Sequence, residues 1–206
     1  WSAMDPYRPP PQYGTGPPPP YFSGPMPLPW ENPPPPIGHP LPVPLHHHLP
    51  PELLGKPSSK IFCKARTAFS VTNRDRKVVL APADPMDDRQ HWIKDDRHAT
   101  VLKDKNGFRS FSLINKATGQ AIKHSSKDSP VHLVPYDPHK LDESVLWTEG
   151  EDIGDGFKAI RMVNNIRLNF TASHESGSDV HDGSLILLKE WSNLKEWNQR
   201  WKIVLY

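Results

Sequence analysis

Three groups of side chains in this chain carry chemistry by type and spacing. The first is carboxylates in close pairs: Asp87-Asp88, Asp95-Asp96, and Asp152 with Asp155 in Glu-Asp-Ile-Gly-Asp-Gly. Two carboxylates facing one bond across a cleft would suit hydrolysis of a glycosidic bond. These pairs sit among turn residues, and neighbours on an extended chain point to opposite faces, so hydrolysis is not expected. The second group is a thiol beside a base, Cys63-Lys64, and a run of imidazoles, His46-His47-His48. A lysine lowers a thiol pKa, but no partner histidine is suggested, and a plain strand cysteine is the expectation. The histidine run has no cysteine or second histidine pair at ligand spacing, so neither a metal nor a cofactor is expected. No phosphate-cradling glycine loop, Gly-x-Ser-x-Gly elbow or His-Glu-x-x-His is present, and the chain does not read as an enzyme. The third group is amides and indoles near the C-terminal end: Asn198-Gln199 ahead of Trp201, with Trp191 and Trp197 close by. An amide offers both a donor and an acceptor. Asn198 falls where a loop becomes a strand, which places its side chain to face solvent and a ligand.

The elements that position these residues follow from a repeated pattern. Asp182-Gly183 is a turn, Leu185 to Leu188 an apolar strand, and Lys202 to Tyr206 a closing strand. The same outline occurs twice upstream. Phe69 to Val71 and Lys77 to Leu80 are strands divided by Asn73-Arg74-Asp75, and Gln90-His91-Trp92-Ile93 follows a loop. After Asn106-Gly107, a hairpin turn pair, come Phe111 to Ile114, Ala121 to Lys123, Val131 to Val134 and Val145-Leu146-Trp147. Ala159 to Val163 and Ile166 to Phe170 are strands around Asn164-Asn165, which tolerate the positive φ of a tight hairpin. Trp92, Trp147 and Trp201 stand 55 and 54 residues apart, and Leu80, Leu133 and Leu188 precede them by 12, 14 and 13 residues. A matched period of this kind means internal repetition, and short strands between turn signals mean an all-β domain. A unit of about four strands cannot bury its own apolar face, so three units must close on a shared core. Burying one Trp removes roughly 150–250 Å², an upper bound of about 4–6 kcal/mol, so core packing is the expected role of these three indoles.

Composition divides the chain. Of 26 prolines, 21 lie in residues 1–57, where too few aliphatic residues occur to offset ordering entropy. Residues 1–58 are expected to be a disordered Pro-rich leader and residues 59–206 the folded domain. Pro10-Pro11-Gln12-Tyr13 and Pro18-Pro19-Pro20-Tyr21 have the Pro-Pro-x-Tyr form that aromatic-lined WW grooves accept. Such matches also arise by chance in any Pro/Tyr-rich tail, and a solvated spacer is the plainer reading. Net charge is +2, both over the chain and over residues 61–206, which gives no basic face for nucleic acid. No window of 18 apolar residues suggests a membrane span. Cys63 is the lone cysteine, which argues for a reducing compartment, and no secretory leader is visible. The chain opens on Trp1 rather than Met, which leaves open whether its true N-terminus lies upstream. Asn169-Phe170-Thr171 matches a glycosylation acceptor, but Asn169 lies in an expected strand and the match is read as chance.

The three units, two with a Gln-x-Trp anchor, resemble the ricin-B-type β-trefoil, and more closely the Euonymus-type lectin domain of plants. The residues that carry the resemblance include Leu80 to Pro85, Gln90-His91-Trp92, Leu113 to Gly119, Lys140 to Glu149, Arg161 to Asn165 and Asn198 to Ile203. It covers about residues 60–206, and the second unit departs from it with Val145 where Gln would stand. The resemblance implies a twelve-stranded β-trefoil that binds glycans or glycoproteins, in a plant protein of the nucleus and cytoplasm linked to stress responses.

In repeats of that family, an Asp after the second strand, an aromatic ending the third and an Asn before Gln-x-Trp hold the sugar. In the third unit Asn198 and Gln199 match, while those Asp and aromatic positions fall on Thr171 and Lys189. The first unit has Thr72, Ala81 and Arg89 there, and the second Lys123, Val134 and Ser144. The resemblance therefore implies a shallow site in the third unit. Asn198 and Gln199 would bond the sugar, Trp191 would stack on it, and Thr171 and Lys189 would line the pocket. The alternative is a protein-interaction module on a trefoil that has lost sugar binding. A protease-inhibitor trefoil is a third option, disfavoured because a lone cysteine leaves no disulfide to hold an inhibitory loop.

Overall fold

Short β-branched and aromatic runs between turn residues give twelve strands in the structure. It is a computed structural model describing residues 49–192 and 196–206 together with Gly14, Gly16, Pro17 and Pro20. The chain divides into two units, Trp1–Val43 and Pro44–Tyr206, and all twelve strands belong to the second. The first repeat holds β1 (Ser59–Cys63), β2 (Phe69–Arg74), β3 (Lys77–Pro82) and β4 (Trp92–Asp95). The second holds β5 (Ser112–Asn115), β6 (Gln120–Lys123), β7 (His132–Pro135) and β8 (Trp147–Glu149). The third holds β9 (Ile160–Met162), β10 (Asn165–Ala172), β11 (Ile186–Glu190) and β12 (Trp201–Leu205).

The pairing is threefold. The last strand of each repeat runs antiparallel to the first strand of the next: β4 with β5, β8 with β9, and β12 back with β1, where Ile61 faces Ile203. Within each repeat the first and last strands meet at the anchor tryptophan, through Ser59 with Trp92, Phe111 with Trp147, and Lys158 with Trp201. The middle strands form the hairpins β2–β3, β6–β7 and β10–β11, which touch one another through the pairs Val79–Leu185 and Pro130–Leu187. This is a β-trefoil.

Trp92, Trp147 and Trp201 are fully buried in one cluster with Ile61, Leu80, Phe170 and Leu188. Each indole N–H has to find a partner there. Trp92 donates to the Val71 carbonyl at 2.9 Å, Trp147 to Ile122 at 3.0 Å and Trp201 to Phe170 at 3.0 Å. Every anchor thus ties the end of its repeat to that repeat's own second strand.

Two expectations change. The folded unit reaches back beyond residue 59. Pro51–Leu53 is a 3₁₀ turn, and Leu53 is fully buried with Ile93, Ile114, Ala121, Tyr136 and Val145. Leu49 and Leu53 are aliphatic side chains at the end of a proline-rich tract, and that apolar cluster gives them a place to bury. The rest of the leader, with its Pro-Pro-x-Tyr segments and the His46–His48 run, lies outside the described residues apart from the four named above. The second change concerns the left-handed hairpin turn. Positive φ falls on Asp75 (+50°) and Arg76 (+62°), not on Asn164 or Asn165. The β2–β3 strands pair without a break up to Arg74 and Lys77, which leaves two residues to reverse the chain, and such turns need φ above zero.

Candidate functional site

Apart from the exposed Asp96, the carboxylates singled out by spacing are committed to structure. Asp87 caps the 3₁₀ turn Asp88–Gln90 by accepting from Arg89 N at 2.9 Å, and Asp88 pairs with Lys116. Asp152 accepts from Gly154 N and Gly156 N, and Asp155 pairs with Lys64. The Asp95 carboxylate is fully buried and accepts from Tyr136 Oη at 2.6 Å and Arg97 Nε at 2.5 Å. Cys63 is fully buried in the core, and burial raises its thiol pKa. Among the described residues no group of three or more metal-ligating side chains is assembled, and no helix is long and apolar enough to cross a membrane.

The third repeat brings some of the expected site residues together. Gln199 is 1% exposed and Thr171 is 2% exposed. Gln199 Nε2 donates to Thr171 Oγ1 at 3.0 Å and to the Glu190 carbonyl at 2.9 Å, while its Oε1 accepts from Ser192 N at 3.0 Å. Gln90 does the same in the first repeat, donating to Pro82 O and accepting from Asp84 N. The Gln of Gln-x-Trp therefore fastens the chain ahead of the anchor to the end of the third strand. Thr171 in turn donates to Asn169 O at 3.1 Å. Asn169, the nominal glycosylation acceptor, is 1% exposed and donates to Arg167 O.

Asn198 is held beside this network by its own amide, whose Nδ2 donates to Ala172 O at 2.9 Å. It also lines a groove of about 770 Å³ with Trp197, Glu196, Arg66, His174 and Asp179. The Trp197 indole is 51% exposed, with the Lys64 ammonium 5.6 Å from its ring centre. Lys64 is itself anchored by Asp155. Among the described residues, Asp179 and Glu196 have neither an ion-pair nor a hydrogen-bond partner for their carboxylates. Arg66 donates to Val180 O at 3.0 Å and packs on Phe69.

Trp191 and Lys189 lie elsewhere. Trp191, 40% exposed, lines a second groove of about 470 Å³ with Phe108, Ile153, Phe157 and Arg200. Lys189 is exposed near the end of β11, opposite Asn169. The structure thus joins Thr171 to Gln199, sets Asn198 next to them, and puts Trp191 in a separate groove. His174 and Asp179 were missed in the sequence. They sit in a stretch, Ser173 to Asp179, that carries no motif, and the strands on either side bring it to Trp197.

No protein-family model matches the chain. A ricin B-like lectin of Oryza sativa subsp. japonica, R40G3, is 54% identical over 154 residues, which cover 73% of this chain and 74% of that protein. The ricin B-like lectin EULS3 of Arabidopsis thaliana is 52% identical over 154 residues, and there the match covers 48% of the relative. Among solved structures, a ricin B-like lectin of Macrolepiota procera in complex with lactose superposes with a TM-score of 0.53 at 14% identity, over 71% of this chain and 94% of that one. At that identity the likeness shows the β-trefoil fold alone.

Proposed function

Because this chain belongs to the plant ricin B-like lectins, we propose that it binds glycans reversibly and without catalysis, in the third-repeat groove between Trp197 and the 174–180 segment. The observation that carries this reading is the half-exposed Trp197 indole standing over a groove that also holds Asn198 and the unpartnered Asp179. An indole face covers the apolar side of a sugar ring, and a carboxylate accepts from two hydroxyls. In this reading Trp197 stacks, Asp179 and Asn198 bond hydroxyls, and Thr171 with Gln199 hold Asn198 in place from behind. Trp191 and Lys189 stand outside this groove. A single open site of this kind gives affinities of ~10 μM to ~1 mM.

The test is a glycan array with the full chain, run beside Asn198→Ala. Binding that disappears in the variant supports a third-repeat site, and binding that persists moves the site elsewhere on the trefoil. A blank array favours a protein-interaction module, a reading that draws on the commitment of Thr171 and Gln199 to internal bonds. The lone cysteine is buried and the fold closes without a disulfide, which suits the reducing nucleus and cytoplasm where we place the protein. A fluorescent fusion confined to secretory compartments would refute that placement.

A further inference from the structure

The Trp191 groove differs in charge from the Trp197 groove. Among the described residues Glu151 is the one carboxylate that lines it, against Lys105, Arg161, Arg167 and Arg200. Two of these cations are already neutralised: Arg161 by Asp104 at 2.9 Å and Arg167 by Glu190 at 3.1 Å. Arg200 and Lys105 have no carboxylate within ion-pair distance among the described residues. The Arg200 guanidinium lies 5.9 Å from the Trp191 ring centre, and its Nε is buried with no hydrogen-bond partner. Ile153, 64% exposed, and Phe157 supply an apolar wall. The groove thus combines an indole face, an apolar wall, an arginine with no ion-pair contact although the Asp155 charge is within its reach, and Asn106 and Glu151 side chains with no partner among the described residues. The Trp197 groove instead carries two unpartnered carboxylates beside a single arginine, Arg66, which donates to the Val180 carbonyl.

We infer that the Trp191 groove is a second saccharide site, selective for an acidic sugar of the uronate type. The ring's apolar face lies against Trp191, its carboxylate meets Arg200 and Lys105, and its hydroxyls bond Asn106 and Glu151. A guanidinium pairs strongly with a carboxylate in such a partly dry setting. A neutral sugar gains nothing from the unpaired cations. The third repeat then borders two binding grooves of different electrostatic character, so a polymer mixing neutral and acidic sugars can engage both and bind more tightly than either sugar alone.

The experiment is a calorimetric titration of the full chain with oligogalacturonide, and with the same oligomer fully methyl-esterified. The acid form is expected to bind, and the ester to bind at least about tenfold more weakly. Raising salt should weaken binding of the acid form, as screening of an exposed pair requires. Arg200→Gln should weaken uronate binding about tenfold or more, and Trp191→Ala should weaken it too, which keeps the test open if the arginine variant folds poorly. Trp197→Ala should leave uronate binding unchanged while weakening neutral-glycan binding roughly five- to 150-fold, so the two grooves succeed or fail separately. Equal binding of acid and ester, absence of binding, or full binding in both Arg200→Gln and Trp191→Ala would overturn the inference.

Discussion

Gln199 donates from one amide nitrogen to Thr171 Oγ1 at 3.0 Å and to the Glu190 carbonyl at 2.9 Å. A buried side chain two positions before the anchor Trp201 thus ties the end of β11 to β10, and Asn198 and Trp197 precede it directly. Removing it takes a donor from the Glu190 carbonyl and from Thr171 Oγ1, and an unpaired buried polar group costs about 1–3 kcal/mol. Gln199→Ala is expected to lose about that much stability in urea unfolding with an unchanged m value. It should also weaken glycan binding although Gln199 is outside the groove. Unaltered stability would show that the network does not support the site.

Leu53 gives a prediction about where the domain begins. It is fully buried in the cluster that contains Val145, the residue that replaces Gln in the second repeat. The apolar side chain at 145 helps form a socket, and the segment before β1 fills it. An exposed hydrogen-bonded contact between Glu52 and His139, and an ion pair from Lys56 to the buried Asp95, flank the contact. Leu53→Ala is expected to cost about 2–5 kcal/mol, and a chain starting at residue 59 should melt below one starting at residue 49. Equal melting temperatures would return residues 49–58 to the leader.

Acid should weaken the fold through Asp104 and Asp95. Burial opposes the charge of Asp104, yet hydrogen bonds from Thr148, from Phe108 N and Asn106 N, and from Arg161 outweigh it and hold the carboxyl below its ordinary value. At Asp95 burial again opposes, and Tyr136 and Arg97 outweigh it. A depressed folded pKa gives stability that is complete above the unfolded value, about 3.9, and is lost as pH falls through the folded value. Asp104→Asn should therefore cost up to about 3–5 kcal/mol near neutrality, where it leaves the partly buried Arg161 uncompensated. The gap from the parent chain should narrow in urea titrations at about pH 3. A gap that stays constant with pH would contradict this account.

His124 shifts the other way, with its own window. The ring is nearly buried, edge-on to Trp147 at 4.5 Å, and its Nε2–H donates to the Leu146 carbonyl at 2.6 Å. Burial lowers its pKa, against the opposing effect of that hydrogen bond. The unfolded chain then takes up a proton first as pH falls below about 6.5, and stability declines from there down to the folded pKa. The urea midpoint should fall between about pH 7.5 and about pH 5.5, and His124→Gln should remove part of that slope. An identical slope in both proteins would assign it to other groups.

Much of the fold was legible because its largest side chains repeat. Trp92, Trp147 and Trp201 are spaced as equivalent anchors, and each one closes its repeat in the structure. Leu53 was not legible: a leucine among prolines has no period, and only the three-dimensional socket gives it a role. The left-handed turn at Asp75 and Arg76 was missed because the strand ends, not the turn residues, set its length. In the proposed groove, the place of Asn198 follows from its position before the anchor. Which groove Trp191 and Trp197 each line does not follow from the sequence. They stand six positions apart, and their separation into two grooves depends on residues distant in sequence, Lys64 for one and Phe108 and Ile153 for the other.

The most direct measurement is the affinity of the best neutral array glycan for the full chain, for Trp197→Ala and for Trp191→Ala. Our account predicts that Trp197→Ala loses about 1–3 kcal/mol of binding, a drop of roughly five- to 150-fold, while Trp191→Ala binds that glycan as the parent does. Loss of binding in Trp191→Ala with full binding in Trp197→Ala would contradict the account and move the neutral-sugar site to the other groove.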